Sequence, residues 1–415
     1  MANCKKDIAD DEFLLIGIDG GATKVSGWTV KAANHGTAFA LGNFHATKSY
    51  TEIPGYIHNF QPVDLNRQIA EWEAGKIVPT TAELVQSSCY IKAASWCIEQ
   101  ITKRSGTNRV LIGIGMPGIK TRDGRGIAVL KNGPRITNYA VRLENEITLA
   151  GIELVQPINQ IGSDAYYCGI GEEYAGEGSF RNVRNSYYLG GGTGAADALK
   201  LDGKVIPLDE TKGWFVKTWE MKCPDGFSVE KYVSSSGIQS IYGELIGKSP
   251  EELTRNGIFP PQIRRRALDG EKAAVITMQK VAHFLALLFY ERITSIYAGW
   301  QGIFDFVNPD RPRPQTENNY KKALFDNLVI GQRLGELLCE AQGDEVLWLP
   351  FVNELTQLII NSSVLDEVAK EHYCPQKHLN LARIQISPLR EAPALGAAID
   401  AYLTWKERKL CLNQM

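Results

Sequence analysis

Two glycine-rich turns, each set between apolar strand-like runs, constrain the fold of this 415-residue chain more than any other feature. The first is DGGATK at 19–24, after the apolar run FLLI at 13–16; the second is GGGTG at 190–194, between SYYL and AADAL. Glycine lets the backbone approach a bound anion closely, because no Cβ blocks the approach. The chain therefore contains the same unit twice: a strand, a glycine turn with a threonine and a second strand. Such a repeat is expected of a duplicated fold whose halves each bind part of one phosphate chain.

The first turn carries side chains suited to a bound phosphate. Asp19 ends the strand and would repel a phosphate directly, but its carboxylate can hold the water shell of a Mg²⁺ ion that bridges to phosphate. Thr23 and Lys24 add a hydroxyl and a positive charge on the same side. Taken alone, the hexamer is better explained as an ordinary hairpin turn between two strands.

Size, charge and cysteine usage exclude several classes of protein. The length predicts two or three domains. A formal net charge of −2 provides no basic excess to neutralise nucleic acid. Eight scattered cysteines without a CxxC pair favour reduced thiols in a cytoplasm. No apolar run approaches the roughly 18 residues that span a bilayer, and residues 1–12 lack the apolar core of a signal peptide. We therefore expect a soluble cytoplasmic protein with no membrane or nucleic-acid partner.

The order of the predicted elements indicates an α/β fold. Runs at 13–30 and 37–44 predict three strands in an antiparallel meander. A helix over 81–105 and a strand over 109–115 follow, and strand–helix–strand order is typical of a mostly parallel sheet. Residues 45–80 are interpreted as a loop-rich insertion, and 343–380 show no clear period. The end predicts a strand at 384–387 and a closing helix over 394–408.

Asp164 precedes a predicted helix that runs to Tyr174. Ser163 or Asp164 would serve there as an N-cap, because either side chain can accept a hydrogen bond from a free backbone N–H group. On position alone the cap is the simpler interpretation of Asp164.

Several blocks together resemble the ROK family of sugar kinases, within the actin-like superfamily. They are spread over most of the chain and are, in order, DGGATK at 19–24, GIGMPG at 113–118, SDA at 163–165, LGGGTGAADALKLDGKV at 189–205, LVIGQRLGELL at 328–338 and APALGAAIDAY at 392–402. The resemblance implies two actin-like (ribonuclease H-like) α/β domains with a cleft between them. The first would comprise 12–135 and 395–415, and the second 136–394 with insertions.

The resemblance also implies a kinase site. Asp164 matches the family's general base, which takes a proton from the sugar hydroxyl as that hydroxyl attacks the γ-phosphate. ATP would be held by Asp19, Gly20, Gly21, Thr23, Lys24, Gly191, Gly192, Thr193, Gly194 and Gly331, with Mg²⁺ held through water by Asp19. Glu230 matches a sugar contact of the family, and an equally good alternative is a first-turn helix glutamate favoured by the helix dipole.

Departures from the family pattern lie around the sugar. The family's zinc-binding His and Cys run is reduced here to Gly213-Trp214 and Cys223, so four ligands cannot be assembled and no zinc is expected. Ser163 and Arg135 stand where the family has asparagines. Trp214 offers a stacking surface for a sugar and Arg135 a partner for an acidic group, although each also fits a structural role. The sugar itself is not specified by these residues.

Two other functions stay open beside an ATP- and Mg²⁺-dependent sugar kinase. One is a non-catalytic sugar sensor, although the eighteen residues before Asp19 are too few for a DNA-binding helix-turn-helix arm. The other is an actin-like ATPase that activates a partner enzyme. The expected partner is a small-molecule sugar, with a homodimer as the possible assembly.

Overall fold

The computed structural model describes residues 13–34 and 36–412, which form two compact units. One unit contains the chain up to Gly176 and the segment from Glu391, and the other comprises Glu177–Arg390. Each has its own sheet and core.

The first unit is built on a six-stranded sheet with helices against it. Its strands are β1 (Leu14–Gly20), β2 (Lys24–Ala33), β3 (Ala38–Ser49), β4 (Arg109–Gly115), β5 (Ile119–Lys120), β6 (Ile127–Val129), β7 (Glu153–Leu154) and β8 (Ile161–Gly162). Its first four helices are α1 (Leu65–Glu73), α2 (Thr81–Ser105), α3 (Tyr139–Leu149) and α4 (Asp164–Tyr174). The sheet order is β3-β2-β1-β4-β7, with β8 also on β4, while β5 and β6 form a separate ribbon.

The predicted meander and the predicted α2 and β4 are confirmed. β1, β2 and β3 pair antiparallel, whereas β1 and β4 pair parallel. α2 begins with a capping box between Thr80 and Glu83 and ends at Gly106, whose φ of 71° suits glycine. The loop-rich interpretation of 45–80 was wrong in part. β3 continues to Ser49, and α1 starts where Asp64 accepts a hydrogen bond from Arg67 N at 3.1 Å.

The second unit repeats this plan around a five-stranded sheet of order β11-β10-β9-β14-β15. The strands of the second unit, inside and outside that sheet, are β9 (Ser186–Gly191), β10 (Ala195–Leu201), β11 (Lys204–Ile206), β12 (Met221–Lys222), β13 (Asp305–Phe306), β14 (Asn327–Gly331) and β15 (Ile384–Ile386). Its helices are α5 (Glu230–Val233), α6 (Ser235–Ile246), α7 (Pro250–Arg255), α8 (Pro260–Leu268), α9 (Lys272–Ala298), α10 (Gln332–Ala341), α11 (Trp348–Ile360) and α12 (Glu367–Tyr373). β9 pairs antiparallel with β10 and parallel with β14, as β1 does with β2 and β4.

Helix α9 is the central helix of the second unit. Within the described part of the chain it alone is long and apolar enough to span a membrane by length and composition. More than half of its most apolar window is buried, including Val281, Leu285, Leu288 and Ile293. Its apolar surface therefore packs inside the unit, against α6, α8 and α11.

The last helix, α13 (Ala392–Leu412), returns to the first unit and packs on β1, β4 and α4. Two strand glycines permit this contact. A Cβ on Gly17 would lie 1.8 Å from the carbonyl oxygen of Ala394, and one on Gly113 would lie 1.8 Å from that of Ala397. The close approach of backbone to backbone thus requires glycine at both positions.

The units divide the chain at 176/177 and 390/391, whereas the sequence predicted 135/136 and 394/395. The physical reason is strand pairing. β7 and β8 both pair parallel with β4, and α4 packs against α13, so residues 136–176 belong to the first unit.

Gly113→Ala tests the contact between α13 and the sheet. We expect it to lower the free energy of unfolding by about 1–3 kcal/mol, because the new methyl group meets a helix backbone that cannot move alone. Gly176→Ala is the matched control, since a Cβ there meets nothing within 4 Å. Urea denaturation measures both variants, and equal stability of the two would contradict the packing described.

Candidate functional site

Three parallel strands of the first unit end together and bring Asp19 and Asp164 to one edge of the sheet. Asp19 lies beside Gly115 in the β1–β4 register, and Gly115 lies beside Gly162 in the β4–β8 register. Asp164 follows Gly162 by two residues and begins α4. Since the strands are parallel, their carboxyl ends meet at the same edge, where ligands bind in open α/β sheets.

Asp164 is not the N-cap of its helix. That role belongs to Ser163, whose Oγ accepts from Tyr166 N at 3.5 Å. The Asp164 carboxylate accepts from Ala165 N through Oδ1 at 2.9 Å. Its Oδ2 accepts no hydrogen bond from the residues that the structure describes, which leaves one oxygen of a half-buried carboxylate available to a ligand.

Asp19 lies in a local surplus of negative charge. The pKa of Asp19 is raised to about 7, first by burial and then by the carboxylates of Asp164 and Glu391, while the ammonium group of Lys24 opposes this rise. The positive charge near Asp19 is thus too small to offset burial and the neighbouring carboxylates, so the ionised form is disfavoured.

In the first glycine turn the carbonyl oxygens accept hydrogen bonds within the protein, whereas two successive N–H groups donate to none of the residues described. The carbonyl of Gly21 accepts from Tyr50 Oη and that of Ala22 from Tyr90 Oη, both at 3.2 Å. The carbonyl of Thr23 accepts from Tyr50 N at 3.1 Å. The N–H groups of Ala22 and Thr23 donate to no residue in the described part of the chain. The turn therefore offers two successive donors to solvent or to an anion.

The second glycine turn is organised in the same way. The carbonyl of Gly192 accepts from Ser235 N at 2.9 Å, and that of Thr193 accepts from Ser236 Oγ. The N–H groups of Thr193 and Gly194 find no acceptor among the residues described. Successive free amides of this kind form a concave anion site, or nest.

Glu230 stands beside the second turn at the start of α5. Its Oε2 accepts from Ala195 N at 2.8 Å, so the carboxylate fastens the end of the turn. It also lines an open cavity of about 330 Å³ together with Thr193, Lys231 and Ser236. Lys231 in this cavity pairs with Glu244 at 2.8 Å.

Gly331 lies at the end of β14, next to Gly190 in the parallel register with β9. The following residue, Gln332, has a positive φ of 57° and begins α10. A Cβ on Gly192 would lie 2.8 Å from Gln332 Oε1. The turn at Gly331, within the block at 328–338, and the second glycine turn are therefore neighbours within the second unit.

Arg135 and Trp214 are each engaged by side chains of their own unit. The Arg135 guanidinium is fully buried and bonded to Glu83 at 2.7 Å, to Glu71 and to the carbonyl of Val78. The Trp214 ring packs on Tyr320, with ring centroids 5.8 Å apart. These contacts favour the structural alternative for both side chains.

Cys223 occupies a tight turn in which its N–H donates to the carbonyl of Phe227 at 2.7 Å. Burial raises the pKa of its thiol to about 12. Among the described residues, no three acidic, histidine or cysteine side chains are grouped so that they could hold a metal ion.

Sequence reasoning missed the side chains that hold the turns. Tyr50 lay in the supposed loop-rich insertion and Tyr90 inside a helix whose periodicity assigned it to the core. Ser235 and Ser236 belong to the SSSG run at 234–237, which opens α6, and such a run signals a helix N-terminus. That signal identifies the cap at Ser234, whose side chain accepts from Gly237 N, but not the bonds to the turn.

Comparison with solved structures places this architecture among known folds, whereas no family model and no curated protein matches the sequence. A ROK family glucokinase from Streptomyces griseus, solved with glucose and AMPPNP, is 14% identical with a TM-score of 0.56, covering 94% of this chain and 99% of the glucokinase. This chain has the fold of the ROK family. The ROK hexokinase from Thermus thermophilus is 15% identical with a TM-score of 0.50, covering 95% of this chain and 100% of the hexokinase.

A ROK family transcriptional regulator has the same fold at 13% identity and a TM-score of 0.51, covering 95% of this chain and 78% of the regulator. The α/β fold class predicted from the sequence is thus confirmed. At these identities the ROK likeness establishes the fold, and the ROK fold serves kinases and regulators alike.

Asp19→Asn tests the charge surplus in this ROK fold. The pKa of Asp19 is about 7 in the folded protein, against an ordinary 3.8. The free energy of unfolding therefore falls as the pH rises between these two pKa values. At pH 8 and without ligand, the variant should exceed the wild type by about 2–4 kcal/mol in free energy of unfolding, and the difference should vanish near pH 4. Urea denaturation from pH 4 to 8 measures it; a pH-independent difference would contradict the shift.

Proposed function

We propose that this chain is an ATP-dependent kinase that phosphorylates a hydroxyl group of a sugar or sugar derivative. The observation that supports it most is the pair of glycine turns with anchored carbonyls and unbonded amides. Phosphate oxygens only accept hydrogen bonds. A turn therefore suits them when its N–H groups are free and its carbonyl oxygens already accept hydrogen bonds within the protein. Each unit contains one such turn, and each turn presents two N–H groups that suit a phosphate group.

Mg²⁺ fits the surroundings of Asp19. The surplus of carboxylates that raises the pKa of Asp19 would be relieved by a divalent cation, and Asp19 would hold its water shell. The ion would supply charge neutralisation between the phosphates. Thr23 and Lys24, both exposed beside the turn, would meet phosphate oxygens directly.

Asp164 is the proposed general base. A sugar hydroxyl is a poor nucleophile at neutral pH, because its pKa lies far above 7. As its oxygen forms the bond to the γ-phosphorus, the proton passes to Asp164 Oδ2 and the bond from phosphorus to the β–γ bridging oxygen breaks, which releases ADP. The Ala165 N–H bond to Oδ1 fixes the carboxylate without occupying Oδ2.

Ser163 and Glu230 are the proposed sugar contacts. Ser163 directly precedes the base, and Glu230 lines the cavity beside the second turn. Arg135 and Trp214 are left out of the proposed contacts, because their side chains are engaged within their own units. The Streptomyces griseus glucokinase of the same fold was solved with glucose and AMPPNP, a pairing that agrees with the proposal.

Asp164→Asn tests the assignment. We expect sugar-dependent ADP release to fall by about 10²- to 10⁴-fold, since the amide cannot take the proton, while ATP binding and stability remain. Asp64→Asn is the matched control. It makes the same chemical change at the exposed cap of α1, where asparagine caps as well as aspartate.

The assay is ADP release over a panel of neutral, amino, acetylated and acidic sugars. Release that depends on one sugar and collapses only in Asp164→Asn supports the kinase. Hydrolysis independent of every sugar would instead support an actin-like ATPase. Sugar binding without any nucleotide turnover would support a sensor, and either result would overturn the proposal.

A further inference from the structure

We infer that the stacked pair Tyr50 and Tyr90 is a positioning device that sets the amides of the first glycine turn for the phosphates of ATP. This inference rests on the proposed function, since it concerns the same ligand. Neither tyrosine belongs to a block that resembles the family.

The two rings act as one rigid body. Their centroids lie 3.7 Å apart with the planes 16° from parallel, and the residues are 1% and 2% exposed. Tyr50 follows β3, which is paired to β2, and Tyr90 lies within the 25-residue helix α2. Two separate elements of the first unit therefore hold the pair in place.

Each hydroxyl controls one amide through the geometry of the peptide group. In a planar trans peptide, the C=O of one residue and the N–H of the next point in opposite directions. Tyr50 Oη binds the carbonyl of Gly21, which shares its peptide plane with Ala22 N–H. Tyr90 Oη binds the carbonyl of Ala22, which shares its plane with Thr23 N–H. The two hydroxyls thus fix the direction of the two N–H groups that have no partner among the described residues.

The hydroxyls can only act as donors here, because a carbonyl oxygen has no hydrogen to give. Burial raises the pKa of both phenols well above their usual value, so both remain protonated in the range where proteins work. The anchoring therefore does not change with physiological pH.

The second turn shows the same relation with different side chains. Ser235 N holds the carbonyl in the plane of Thr193 N–H, and Ser236 Oγ holds the carbonyl in the plane of Gly194 N–H. The recurrence in an independent sheet argues against a chance contact of two core tyrosines.

Tyr→Phe substitutions remove one hydroxyl each and keep the rings. We expect Tyr50→Phe and Tyr90→Phe each to weaken ATP binding about fivefold, the effect of one lost neutral hydrogen bond, and the double variant to weaken it more than tenfold. Affinity for adenosine, which has no phosphate, should remain unchanged. Tyr290→Phe is the matched control, because its hydroxyl donates to Ser362 Oγ at 2.8 Å in the second unit.

Competition against a fluorescent ATP analogue measures ATP and adenosine on each folded variant, below its thermal transition. If ATP does not bind the wild type, the proposed function fails and this inference with it. If the wild type binds ATP and both single variants bind it equally well, the inference alone fails. Equal losses for ATP and adenosine would also overturn it, because they would show general loss of packing. Should the double variant not fold, the single variants decide.

Discussion

The rigid peptide group is the constraint on which the candidate site depends. An amide binds a phosphate at a smaller cost when its own peptide plane is already held from the other side, since a mobile turn would lose conformational entropy on binding. In both glycine turns the carbonyl of that plane is fixed by the protein, by Tyr50 and Tyr90 in one unit and by Ser235 and Ser236 in the other. Such preorganised donors stabilise charge without reorganisation at the moment of reaction.

The sheets determine where these turns lie. Each unit begins with an antiparallel hairpin whose first strand also pairs parallel with a later one. In the first unit the parallel pairing of β1, β4 and β8 gathers Asp19 and Asp164 at one edge. Glycines at 17 and 113 let α13 pack directly on β1 and β4, so this helix supports the strands that end at Asp19 and near Asp164. A charge surplus at Asp19 is the electrostatic result, and it is where a cation would bind.

Local signals in the sequence predicted much of this arrangement. The glycine turns, α2, β4 and the helix after Asp164 follow from periodicity and turn chemistry over a few residues. α7 and α8 are short and polar, so they show little apolar periodicity, although the proline at the start of each is a helix-start signal. Residues 343–380 contain α11 and α12, which face one another and the core through contacts that sequence spacing does not reveal. The anchors of the first turn could not be predicted, because Tyr50 and Tyr90 meet it across 29 and 68 residues.

The central claim is that each glycine turn binds phosphate groups through its free amides. It is tested most directly by backbone amide resonances of the 46.0 kDa protein, isotope-labelled and titrated with Mg²⁺ and a non-hydrolysable ATP analogue. The account predicts large shifts for Ala22 and Thr23 in the first turn and for Thr193 and Gly194 in the second, and none of that pattern with adenosine. Shifts confined to one turn, or equal shifts with adenosine, would contradict it.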